Sequence, residues 1–93
     1  VSQWAPIDLS VMGNGQVKLL WQDTDGRASV WTLNSNLSYN THRDHGPHAG
    51  WMPIRVAAGA NNESRLLWRH RDGRASLWKL NAAGDGIDDR QFG

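Results

Sequence analysis

Shifted by 47 positions, the chain matches itself. Trp4 falls on Trp51, the Leu-Leu-Trp run at 19–21 on 66–68, and Asp-Gly-Arg-Ala-Ser at 25–29 on 72–76. The match continues through Trp31/Trp78, Leu33-Asn34/Leu80-Asn81, Arg43/Arg90 and Gly46/Gly93. Counted without a gap, 17 of 46 aligned pairs are identical, and all six Trp fall in matched pairs. A period of this length marks architectures in which one unit cannot bury its apolar face alone and stacked neighbours share a core. The chain therefore divides into two repeats, 1–46 and 47–93. Its 93 residues are two periods less one (2 × 47 − 1), so one copy ends almost where another would begin. Copies that follow one another round a ring are the expectation.

Within a repeat the 3.6-residue spacing of an amphipathic helix is missing, and Gly, Asn, Asp and Ser recur about every ten residues. Short strands with such punctuation predict an all-β fold. Four strands per repeat are expected: 6–11 and 53–58, 17–23 and 64–70, 27–33 and 74–80, then 37–43 and 84–91. The last pair is rich in Gly and Asp, poor residues for a strand. Asp25-Gly26 and Asp72-Gly73 stand between strand-forming runs and predict a tight hairpin with positive φ angles. In 27–33 and 17–23 both faces carry apolar residues, Trp31 and Leu33 against Val30, Leu19 and Trp21 against Leu20. An antiparallel sheet with one wet face would alternate, so each small sheet should be covered on both sides. Four-stranded sheets covered by like neighbours are the blades of a β-propeller, usually of four to eight blades. Two blades per chain then require several chains, and six blades from a trimer is the closure favoured.

Composition narrows the function. Net charge is +1 with both signs interspersed and no run of Lys and Arg, which disfavours nucleic acid as a partner. No apolar stretch is long enough for membrane insertion, and there is no Cys for a disulfide or thiolate site. Val1-Ser2-Gln3-Trp4 shows no secretory apolar region, which leaves the compartment open with secretion ahead. No Ser/His/Asp set recurs in both repeats and no phosphate-cradling Gly loop occurs, so the chain reads as a non-enzyme without a cofactor.

The paired aromatic and polar residues are the candidates for binding. Indole faces stack on the apolar face of a sugar, or else fill the space between sheets. Trp31 and Trp78, mid-strand, are assigned to the core; Trp21 and Trp68, near a strand end, suit either role; Trp4 and Trp51 open the repeat and lean to structure. Arg27 and Arg74 offer donor forks to hydroxyls, against an ion pair with Asp25 or Asp72. Asn34 and Asn81 suit hydroxyls or a turn. His42, Asp44, His45 and His48 have metal-ligand chemistry but no matching set in the second repeat, which favours a solvated loop. Asp85, Asp88 and Asp89 lack the spacing of a calcium loop.

The segments LLWQDTDGRASVWTLN (19–34) and LLWRHRDGRASLWKLN (66–81), with Trp-x-Pro-Ile at 4–7 and 51–54, resemble the blades of bacterial propeller repeats akin to the integrin-like FG-GAP/VCBS group. That group carries an Asp-rich calcium loop before the second strand. The matching segments here, Gly13-Asn14-Gly15-Gln16 and Ala60-Asn61-Asn62-Glu63, lack the Asp ligands, so calcium is not carried over. In plan the chain is similar to small bacterial lectins whose two-repeat chains trimerise into six-bladed propellers. That plan implies a multivalent carbohydrate-binding lectin whose partners are a glycan and further copies of itself. No sugar-binding signature of those lectins matches here, and the ligand contacts expected from the paired residues themselves are Trp21, Trp68, Arg27, Arg74, Trp4, Trp51, Asn34 and Asn81. The competing expectation is a scaffold or recognition module, a two-blade fragment of a longer propeller.

Overall fold

A computed structural model describes residues 3–93 as two four-stranded antiparallel sheets, one per repeat. The first holds β1 (Trp4–Val11), β2 (Val17–Asp23), β3 (Ala28–Leu33) and β4 (Tyr39–His45), each strand beside the next. The second holds β5 (Trp51–Ala58), β6 (Ser64–His70), β7 (Ala75–Leu80) and β8 (Gly86–Phe92) in the same order. A single 3₁₀ turn, Ala60–Asn62, joins β5 to β6. The second and sixth strands have the predicted bounds. The first and fifth start two residues earlier, at Trp4 and Trp51, because Trp4 pairs with Asp23 and Trp51 with His70 across the neighbouring strand. The fourth and eighth lie about two residues later than expected. The Gly and Asp that argued against strand there occupy the preceding turn and the exposed outer edge.

The hairpin at Asp25-Gly26 differs in detail from the expectation. Asp23 N–H donates to Arg27 O, Gly26 N–H donates to Asp23 O, and only Gly26 takes a positive φ, +96°. This is a three-residue loop ending in a left-handed Gly, in which Asp25 serves as a hydrogen-bond acceptor for Arg27 N–H (3.0 Å). The second repeat closes in the same way at Gly73, φ +100°.

Strand alternation gives each sheet a tryptophan face and a back face. Leu19, Trp21, Trp31 and Leu33 share the tryptophan face of the first sheet; Lys18, Leu20, Ala28, Val30 and Thr32 share its back. In the second sheet Leu66, Trp68, Trp78 and Leu80 oppose Arg65, Leu67, Ala75, Leu77 and Lys79. The sheets stack with the back of the first against the tryptophan face of the second. Leu20, Ala28 and Val30 meet Val56, Leu66, Trp68 and Leu80 in one buried cluster, edged by Ile7, Trp51 and Trp78. Removing each such Leu from water contributes about 1.5–3 kcal/mol.

Polar groups complete this joint. Val56 N–H donates to Asp8 (2.8 Å) and Ala58 N–H to Ser10 Oγ (2.8 Å), while Gln22 donates to Pro53 O (2.7 Å). Lys18, buried within the joint, gives its ammonium to Thr32 Oγ1 at 2.6 Å, and burial holds its pKa below the ordinary lysine value. Arg43 bridges to Asp85 across the sheets at 3.1 Å. Among the described residues, no sheet lies against the back of the second sheet, with Leu67 and Leu77, or against the tryptophan face of the first. One chain is thus two stacked sheets with two open ends.

Folding also gathers Lys and Arg that the linear sequence keeps apart. Arg55, Arg65, Arg69, Lys79 and Arg90 all lie on the back of the second sheet, with Asp88 among them. They alternate along separate strands, so no run appears in the linear sequence. Among the described residues, no helix is long and apolar enough to cross a membrane.

Candidate functional site

Each tryptophan face carries a cleft, and the two clefts match residue for residue. Trp4, Trp21, Ser29, Trp31, His42 and Asp44 line one of about 250 Å³ on the first sheet. Trp51, Trp68, Ser76, Trp78, Asp89 and Gln91, with His48, line one of about 150 Å³ on the second. Every residue of the first is related by the 47-residue shift to one of the second. Register explains the set. Trp21 sits opposite Ser29 and Trp31 opposite His42; Trp68 sits opposite Ser76 and Trp78 opposite Asp89.

The aromatic geometry repeats as well. Trp21 and Trp31 have ring centroids 5.2 Å apart at 41°, Trp68 and Trp78 5.1 Å apart at 43°. Trp31 Nε1 donates to Ser29 Oγ at 3.1 Å and Trp78 Nε1 to Ser76 Oγ at 3.2 Å. Trp21 Nε1 and Trp68 Nε1 are both buried without an acceptor among the described residues. An unmet buried donor costs about 1–3 kcal/mol. Both are closed to solvent, so an acceptor reaches either only with a small movement of neighbouring rings.

The Arg candidates stand behind the clefts. The Arg27 guanidinium lies 5.1 Å from the centre of the Trp4 ring, and that of Arg74 lies 5.3 Å from Trp51. Both are also ion-paired, Arg27 with Asp25 (2.9 Å) and Asp23 (3.0 Å), Arg74 with Asp72 (3.0 Å). The hydrogen bond from Arg74 holds the Asp72 carboxyl below its ordinary pKa. Each Arg thereby braces the outer Trp of its cleft. Asn34 and Asn81 lie at turns: Asn34 donates to Ser38 Oγ (2.9 Å), and Asn81 Oδ1 accepts from Asp85 N–H (2.9 Å). Neither lines a cleft.

The His cluster separates. His42, Asp44 and His45 lie on a strand rather than a solvated loop, and alternation sends them to different faces. His42 and Asp44 line the first cleft, where His42 Nδ1 is bonded to Tyr39 Oη at 2.7 Å. His45 points into the joint, edge-on to Trp78, with Nε2 donating to Gly84 O at 2.9 Å. Burial lowers its pKa. His48 lies edge-on to both Trp68 and Trp78. Among the described residues no three His, Asp or Glu are grouped to hold a metal ion.

Trp31 and Trp78, expected in the core, are half-buried cleft walls, whereas Trp68 is 1% exposed and belongs to the core as well as the cleft floor. Serines 29 and 76 and the polar residues of the fourth and eighth strands were not expected to take part. The cross-strand register that brings them to the indoles depends on hairpin length, which period alone does not give. The polar wall holds one carboxylate per cleft and no Lys or Arg, suited to a neutral ligand rich in hydroxyls.

No family model matches the chain, and no curated protein sequence matches it. A solved structure, that of a protein of unknown function from Bacteroides caccae, is similar in fold, with a TM-score of 0.64 at 10% identity. The match covers 96% of this chain and 29% of that protein, so the chain spans under a third of the length of the structure it resembles. At that identity the likeness shows an all-β arrangement of repeated sheets and nothing of function.

Proposed function

We propose that the chain is a non-catalytic carbohydrate-binding module whose two tryptophan clefts each receive a sugar unit. It acts within a closed β-propeller of integrin-like blades built from several copies, six blades from three chains. The recurrence of one Trp, Trp, Trp, Ser constellation on both sheets is the observation that carries this reading. A sugar offers an apolar ring face to an indole and hydroxyls to Asp44 in one cleft, or to Asp89 and Gln91 in the other. The lack of a cation in either lining argues against an anionic ligand. Sites that are individually weak gain avidity when a ring presents several at once.

A glycan array probed with the purified protein tests this directly. Binding to neutral glycans, reduced by Trp31→Ala and by Asp89→Ala in separate proteins, is the expected result; silence across the array sinks the sugar reading. A second reading, a recognition module for protein, draws on the exposure of Leu9, Val11 and Tyr39 on the same face as the first cleft. A chain that ignores glycans yet is pulled down with a defined protein through that face would favour it.

A further inference from the structure

We infer that a second copy of this chain docks head to tail, laying the back of its second sheet over the tryptophan face of the first sheet. This rests on the multi-chain reading above but not on sugar binding. The internal joint supplies the template: it joins the same two kinds of face, and each has an uncovered equivalent at the opposite end of the chain.

The residues of both open faces fit that role. Leu67, Ala75 and Leu77 stand where Leu20, Ala28 and Val30 stand in the first repeat, and those three enter the buried cluster of the joint. Leu77 is 40% exposed at the centre of its sheet. The facing surface offers Leu9, Val11, Leu19, Leu33, Trp21 and Trp31, at the places of Val56, Ala58, Leu66, Leu80, Trp68 and Trp78. Phe92, 58% exposed, occupies the position of His45, whose ring packs edge-on to Trp78. Laid into the same geometry, Phe92 of the second copy reaches Trp31 and helps wall the first cleft. Arg65 takes the position of buried Lys18, a cation for a cation.

Several positions depart from the template. Ala57 stands in place of the acceptor Ser10, and Lys79 in place of Thr32, the partner of the buried cation. Asp8 accepts the Val56 N–H in the internal joint, but its counterpart is Arg55, which has no acceptor to give the Leu9 N–H. Leu37 stands where the internal joint has Gly84, a residue so close to Arg43 that a Cβ there would lie 3.0 Å from its Cγ. The copy-to-copy joint is therefore weaker than the internal one and concentration-dependent. The Arg and Lys of the back face, Arg55, Arg65, Arg69, Lys79 and Arg90, surround the Leu pair as a rim; a polyanion is the rival occupant.

Sedimentation equilibrium tests the inference with surface variants chosen for exposure. Leu9→Asp spoils the tryptophan face and Leu77→Asp spoils the back face. Head-to-tail docking predicts a wild-type assembly, with closure of three chains at about 31 kDa (three times 10.4 kDa), and a monomer of 10.4 kDa for each variant alone. Mixed, the two variants form a 1:1 dimer of about 21 kDa (twice 10.4 kDa), since each retains one intact end. Arg55→Asp restores one of the missing acceptors and strengthens association several-fold. A wild-type monomer at every concentration overturns the inference, as does a Leu77→Asp protein that still self-associates, or a monomer that instead binds heparin through the basic face. Another closed mass that collapses in both variants upholds the joint and removes only the six-blade count. Glycan binding by a monomer separates failure here from failure of the sugar reading.

Discussion

Leu9 and Val56 hold the same place in two copies of one strand, yet Leu9 is 58% exposed and Val56 is 4% exposed. The same contrast recurs at three more pairs on the tryptophan face. Leu66, Trp68 and Leu80 are buried, while their counterparts Leu19, Trp21 and Leu33 are half-buried. Hydrogen-bond ladders and registers are alike in the two sheets. What differs is the presence of a neighbour: the first sheet covers the tryptophan face of the second, and among the described residues no sheet covers that of the first. Blade identity is therefore local, whereas core membership is assigned by stacking.

The largest test of this contrast removes the same ring from each side. Trp68→Ala should lose about 3–5 kcal/mol of unfolding free energy in urea titrations, and Trp21→Ala roughly half of that at concentrations where the chain is monomeric. Equal losses would mean that the neighbour contributes nothing. Glycine substitutions sharpen the comparison further. Gly26→Ala and Gly73→Ala both force a side chain into a left-handed backbone, at about 1–2 kcal/mol. At Gly26 the added Cβ would also lie 2.9 Å from Trp51 O, whereas Gly73 faces open space. The Gly26 variant should thus melt lower, by the equivalent of a further 1 kcal/mol or so of overpacking.

The joint should also respond to pH. Burial lowers the His45 pKa below 6.5, so the native state resists the proton that the unfolded chain accepts. Its contribution is complete above 6.5 and is lost as pH falls through the lowered value. Asp44, Asp85 and the Gly84 carbonyl favour the charged ring and His48 opposes it. Thermal melts of His45→Phe, which installs the residue of the second repeat, should show a flatter decline with acid than the parent. The smallest effect concerns the β3–β4 turn. Leu37 has a φ of +72° where the second repeat has Gly84 at +93°. Leu37→Gly should raise stability by up to about 1 kcal/mol, read from the denaturation midpoint.

Much of the fold was legible because period and turn chemistry are local. The bounds of β2 and β6 follow from apolar runs closed by Asp-Gly turns. Apolar residues on both faces of β3 predicted cover on both sides; the structure covers its back face, against the second sheet. The edge strands were less legible: β8 is exposed throughout and is held by pairing with β7 rather than by its own composition. The cleft was half legible. Repetition singled out the indoles, but Ser29, His42 and Asp44 join them only through cross-strand register, and the division of His42 from His45 follows from strand alternation. The basic back face was hidden for the same reason, being assembled from four strands.

The outer strands have a consequence for how copies can meet. β1 and β5 each carry a proline and a bulge, at Pro6 and Pro53, and β8, exposed throughout, carries Asp88, Asp89 and Arg90 on its two faces. Proline removes a donor and charge repels an incoming strand, two devices that keep sheets from extending edge to edge into fibres. With lateral growth discouraged at these rims, the sheet faces are left as the surfaces along which a chain with two open ends can associate without aggregating.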